Sequence, residues 1–103
     1  MEKLSKEEVE KIKKNPEKID WSSISYCQKL SEEFIKEFQD KIDWHYISWY
    51  QKLSENFILE FYDKVNWISL EHKFNKEMFK NMNRGQKLYM IMNYKKLWNK
   101  WKN

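Results

Sequence analysis

Apolar residues recur through residues 19–38 at Ile19, Trp21, Ile24, Leu30, Phe34, Ile35 and Phe38. The same spacing returns at Ile42, Trp44, Ile47, Leu53, Phe57, Ile58 and Phe61. Trp21, Trp44 and Trp67 mark a period of 23 residues, and a fixed period decides the architecture of a chain before any local propensity does. Within each copy, apolar positions three or four apart form two runs separated by a polar word, Gln28-Lys29 or Gln51-Lys52. That pattern predicts two short amphipathic helices per copy, about 21–28 and 32–41 in the first.

Four further segments extend the array. The repeats are read as 19–41, 42–64 and 65–84, preceded by a half copy at 4–18, where "LSKEEVEKI" echoes "LSEEFIKEF". The third copy aligns with a short deletion after Trp67. That pairs Ile68-Ser69 with Ile24-Ser25, Phe74 with Leu30, and Met78, Phe79 and Met82 with Phe34, Ile35 and Phe38. After Gly85 the pattern becomes one longer closing helix, about 86–101. Its Leu88, Ile91, Tyr94, Leu97 and Trp101 fall near the packing positions of the repeats.

Capping chemistry explains the invariant words. Asp20 and Asp43 suit N-caps, because a carboxylate accepts from the first unpaired helical N–H groups. Ile19 with Ile24, and Ile42 with Ile47, then form hydrophobic staples. Ser31 and Ser54 have the same place in the second helices, with acidic residues in the first turn to suit the helix dipole. Ser5 repeats it with Glu8 completing a capping box, and Asn15-Pro16 ends the first helix. Neither helix of a copy is long enough to be stable alone, so each must bury its apolar side against a neighbour. The expected fold is all-α: one domain, a small stack of about 23-residue helical hairpins with a longer C-terminal capping helix.

The pattern I-D-W-x-x-I-S-x-x-Q-K-L-S-E-x-F-I-x-E-F, over about residues 19–82, resembles short helical tandem repeats in proteins of phages, large DNA viruses and low-GC bacteria. The resemblance implies an αα-repeat fold and a mobile-element setting. It brings no enzymatic residues and no single activity.

Composition adds to this picture. Of 103 residues, 18 are aromatic, and Ala and Thr are absent; one Gly and one Pro leave little material for the tight turns of a β-sandwich. The wealth of Lys, Asn, Ile, Phe and Tyr suggests a low-GC genome. One cysteine, Cys27, allows no disulfide within this chain and fits a reducing compartment. The charged start "MEKLSKEEVEK" is unlike a signal peptide, and no apolar run approaches the roughly 20 residues that span a bilayer. The expected location is the cytoplasm of the cell that makes the protein. Charge is uneven: residues 78–103 hold seven Lys and Arg and no acid, while residues 1–77 hold thirteen Lys against sixteen acids.

Catalytic groups are not expected. Ser31 and Ser54 beside carboxylates read as repeated N-caps, and Cys27 is replaced by Tyr50 in the next copy. His45 and His72 occupy different repeat positions, there is no metal-ligand spacing, and Gly85 alone makes no phosphate loop. No catalytic residue, metal or cofactor is assigned.

Positions that pack should keep their character from copy to copy, whereas positions facing a partner are free to change. Between copies one and two Ser22 becomes His45, Ser23 becomes Tyr46, Cys27 becomes Tyr50, Lys36 becomes Leu59 and Gln39 becomes Tyr62. Tyr26 and Trp49 stay aromatic and are assigned to the core. His45, Tyr46, Tyr50, Leu59 and Tyr62 are therefore the candidate partner-binding residues, with Tyr46 and Tyr50 foremost. The other reading is that copy two is simply covered by more neighbours. The basic end offers an alternative, nucleic-acid-binding set: Arg84, Lys87, Lys95, Lys96, Trp98, Lys100, Trp101 and Lys102 could neutralise phosphates and stack bases. The same segment could lie on a membrane surface, or close the array with its lysines solvated. The leading expectation is a non-enzymatic module that binds a host protein or nucleoprotein complex. In its sharpest form it is a phage inhibitor of anti-CRISPR type, acting by occlusion.

Overall fold

Side-chain caps set where the helices begin. The computed structural model describes residues 1–73 and 76–101, the side chains of His72 and Lys76 excepted. Phe74 and Lys102, named above, lie outside the described residues. Ser5 opens α1 (Lys6–Lys14): its hydroxyl accepts from the Glu8 N–H at 3.1 Å, and the Glu8 carboxylate accepts from the Ser5 N–H at 3.0 Å. Asp20, Asp43 and Asn66 open α2 (Trp21–Cys27), α4 (Trp44–Tyr50) and α6 (Trp67–Leu70). Ser31 and Ser54 open α3 (Glu32–Glu37) and α5 (Glu55–Glu60). In each case the cap oxygen takes a backbone N–H that the first helical turn leaves without a partner.

The copies also share their endings. Gln28 and Gln51 leave the first helices in extended backbone. The second helices stop at Glu37 and Glu60, earlier than the sequence pattern suggests. There the Phe38 carbonyl accepts from both Lys41 and Ile42, and the Phe61 carbonyl from both Lys64 and Val65. Each bifurcated turn aims the chain at the next tryptophan, whose indole N–H closes it. Trp21 donates to the Pro16 carbonyl at 2.9 Å, Trp44 to Gln39 at 2.9 Å and Trp67 to Tyr62 at 2.8 Å.

The protein is all-α apart from a two-residue parallel pair, β1 (Glu2–Lys3) with β2 (Gln28–Lys29), in register Glu2–Gln28 and Lys3–Lys29. It folds as two compact units, residues 1–52 and 53–103, and the boundary falls within the second copy. In the first unit α2 packs against α4. Ile12, Leu30, Phe34, Ile35, Phe38, Ile42 and Ile47 are buried, and the Trp21 ring lies 5.0 Å from Phe38 and 6.2 Å from Phe34. The second unit buries Phe57, Ile58, Phe61, Val65, Trp67, Leu70, Met78, Phe79, Met82, Met90 and Leu97.

Two expectations are corrected. First, the third copy shortens after Leu70, not after Trp67. The Leu70 N–H bonds the Asn66 carbonyl just as Ile24 bonds Asp20 and Ile47 bonds Asp43, and Leu70 is buried while Ile68 is 59% exposed. Leu70 thus fills the staple position, and the register changes only in the 3₁₀ turn Glu71–Lys73 and beyond. Second, the closing segment is two helices, α8 (Arg84–Asn93) and α9 (Lys95–Trp101), preceded by α7 (Lys76–Lys80). Asn83 caps α8 with Gln86 in a capping box, so Gly85 lies inside the first turn. Tyr94, at φ −137° and ψ 49°, breaks the helix after Asn93. The residues α8 buries are Gln86 and Met90, whereas Leu88 and Ile91 face out.

Candidate protein-binding face

Helical phase decides which aromatics of the first unit reach the surface. Ile47 is buried and Ile24 half-buried, and a residue two positions on lies about 200° around the helix. Tyr26 and Trp49 therefore face outward. They are 43% and 48% exposed, which corrects their assignment to the core. Their aromatic character in both copies had suggested packing, but counting around the helix from the staple gives the opposite answer.

Three tyrosines meet on this face. The Tyr26 ring of α2 lies 5.2 Å from Tyr46 and 6.1 Å from Tyr50 of α4, and Tyr46 and Tyr50 are 6.1 Å apart. His45, exposed, sets its ring edge-on to Tyr46 at 5.8 Å. Tyr50 is 46% exposed and Tyr46 half-buried. Tilted ring contacts of this kind hold amphipathic side chains in place at the surface. Asp43 positions α4 beneath them, its carboxylate accepting from the N–H groups of His45 and Tyr46 at 3.0 and 3.3 Å. Hydrogen bonding with the adjacent Cys27, followed by that thiol's charge, raises the pKa of the Tyr26 hydroxyl.

Leu59 and Tyr62 belong to the second unit and are half-buried there. Tyr62 meets Tyr89 edge-on at 5.2 Å, Tyr89 lies 6.3 Å from Tyr94, and the Tyr89 hydroxyl donates to the Asp63 carbonyl at 3.3 Å. Burial, then Tyr94 and Asp63, raises the pKa of the Tyr89 hydroxyl. Tyr62 is thus the edge of a second, more enclosed ring group.

The basic set divides. Arg84, Lys95 and Lys96 are exposed and Lys87 half-buried. Trp98 is half-buried with its ring 4.5 Å from Phe79, and Lys100 holds Glu71 at 2.6 Å. Trp101 is half-buried. Leu97 is buried, so α9 turns its apolar side, Trp98 included, into the second unit. Among the described residues no three His, Cys, Asp or Glu side chains gather as metal ligands, and no helix is long and apolar enough to cross a membrane.

The Ser of the Ile-Ser word has a place that the pattern alone did not explain. Ser25 is buried, its hydroxyl donating to the Trp21 carbonyl at 2.6 Å and accepting from the Asp43 N–H at 3.0 Å. It thereby couples α2 to the cap that orients Tyr46. Comparison with protein-family models, curated proteins and solved structures gives no significant match.

Proposed function

We propose that this chain is a non-enzymatic protein-binding module whose partner docks on the aromatic face of the first unit. The observation that carries the reading is the Tyr26–Tyr46–Tyr50 group, three rings in mutual contact and open to solvent beside exposed His45 and Trp49. Tyr and Trp dominate binding hot spots because they supply large contact areas with little rotamer entropy to lose. Here the mutual packing holds the rings before a partner arrives. The sharper form of the reading is an inhibitor that occludes a host protein or nucleoprotein complex, of anti-CRISPR type. It rests on the resemblance of the repeat to mobile-element proteins.

The test is the double variant Tyr46→Ala with Tyr50→Ala. Partners captured by the wild-type protein from a host lysate should bind the variant at least about tenfold more weakly, since each lost anchor is worth upwards of roughly 1 kcal/mol. Far-UV circular dichroism should be unchanged. Equal affinity in the variant refutes the reading.

A further inference from the structure

The helix α8 carries apolar side chains on opposite sides. Met90 is completely buried, yet Leu88, Ile91 and Met92 are 50%, 37% and 80% exposed. These three stand at i, i+3 and i+4 and so share one face. The side of α8 that bears Gln86 and Met90 is covered, and the side that bears Leu88, Ile91 and Met92 is open.

The surroundings narrow the choice of cover. Arg84 stands one turn before Leu88, Lys87 adjoins it, and Lys95 and Lys96 follow at the start of α9; residues 78–103 contain no Asp or Glu. A second copy would set this positive face against itself. A protein partner is also a poor fit, because one turn's worth of apolar side chains falls well short of the roughly 800 Å² per partner of a standard interface. A lipid surface needs no such area. It takes a protruding apolar ridge into the headgroup boundary while cationic side chains neutralise headgroups on either side.

We propose that this face of α8 docks on an anionic lipid bilayer, with Leu88, Ile91 and Met92 entering the interface and Arg84, Lys87, Lys95 and Lys96 meeting the headgroups. The experiment is co-sedimentation of the full chain with vesicles of phosphatidylcholine, with or without phosphatidylserine. Binding is expected to the anionic vesicles alone and to weaken as salt is raised. Leu88→Ser with Met92→Ser should lower it by about tenfold or more without changing helicity, since both side chains are exposed. Lys95→Gln with Lys96→Gln should lower it and flatten the salt dependence. Tyr46→Ala with Tyr50→Ala should leave it unchanged, which separates this surface from the aromatic face of the first unit.

Three outcomes overturn the proposal: no retention on anionic vesicles at low salt, equal retention on neutral ones, or undiminished retention of the Leu88/Met92 variant. Failure on vesicles together with Leu88- and Met92-dependent binding of an acidic protein would assign the face to that protein instead.

Discussion

Gln51 supports a specific prediction about what holds the first unit together. Its side chain is 1% exposed, and its amide N–H groups donate to the Ser25 carbonyl at 2.9 Å and the Gln28 carbonyl at 2.6 Å. Its amide oxygen accepts from the Leu30 N–H at 3.0 Å. One side chain thus serves three backbone groups where the chain leaves α2 and approaches α3. Gln51→Leu keeps the volume and removes all three bonds. Gln28 is half-buried, so its carbonyl can rehydrate. The Ser25 and Leu30 groups are left in the interior, where an unsatisfied group costs about 1–3 kcal/mol. Offsetting about 1 kcal/mol for the added apolar burial, the variant should lose about 3 kcal/mol. With a urea slope of about 1–3 kcal/mol/M for a small protein, the unfolding midpoint followed by circular dichroism should fall by at least about 1 M.

Gln51→Glu supplies the control. A carboxylate still accepts from Leu30 but turns its second oxygen on two carbonyls, and burial with that repulsion raises its folded pKa. A folded pKa above the unfolded value, near 4.3, means that the protonated, donating form favours folding. The variant should approach wild type below about pH 4 and lose stability as pH rises through the raised value. A Leu variant with an unshifted midpoint, or a Glu variant whose deficit ignores pH, refutes this account.

Two further tests address other elements. In the α1 capping box the Ser5 N–H, then the Ser5 hydroxyl, lowers the pKa of the Glu8 carboxyl; the stabilisation it gives is present above the unfolded value and lost as pH falls through the folded one. A carbon-13 titration should find the Glu8 midpoint below the ordinary carboxylate range and partly restored toward it in Ser5→Ala, which keeps the Ser5 N–H; a wild-type midpoint in the ordinary range argues against the box in solution. At the other end, Trp98→Ala should cost about 3 kcal/mol through the lost packing on Phe79. The intact protein should show no retention on single-stranded DNA at physiological salt. Retention that falls steeply with salt and disappears in a variant with Gln at Lys95, Lys96, Lys100 and Lys102 would favour the nucleic-acid alternative.

The all-α class and the helix starts were legible because capping is local. Ser5, Asp20, Ser31, Asp43 and Ser54 each act on N–H groups two or three residues on. Helix ends were less legible. The turn at Phe38 and the break at Tyr94 depend on where the following residues must go, not on a breaking residue type. The third copy's register was misread because Ile68-Ser69 matches the Ile-Ser word by letter, while the hydrogen bond to Asn66 and burial select Leu70. In the ring group of α2 and α4, Tyr46 and Tyr50 were singled out by their change between copies, whereas Tyr26 was assigned inward because its character is constant. Leu88 and Ile91 were assigned inward because they fit the spacing of the repeats, whereas the side of α8 that is buried is set by Gln86 and Met90.

Short helices explain the division between constant and variable positions. A helix of six or seven residues leaves most of its carbonyls without an internal partner, so an array of such helices must find donors elsewhere. The constant words supply them. Trp21, Trp44 and Trp67 donate to carbonyls of the preceding turns, and Gln51 donates to Ser25 in the last turn of α2. In the second unit a glutamine amide serves a different helix end: Gln86 of α8 donates to the Leu59 carbonyl in the last turn of α5, at 2.7 Å. Ser23 and Cys27 lie 3.9 Å apart on the surface, and their counterparts Tyr46 and Tyr50 meet through their rings. Exchanging that pair disturbs no helix-end carbonyl. The fold therefore constrains tryptophan and glutamine tightly and leaves positions 46 and 50 free to change.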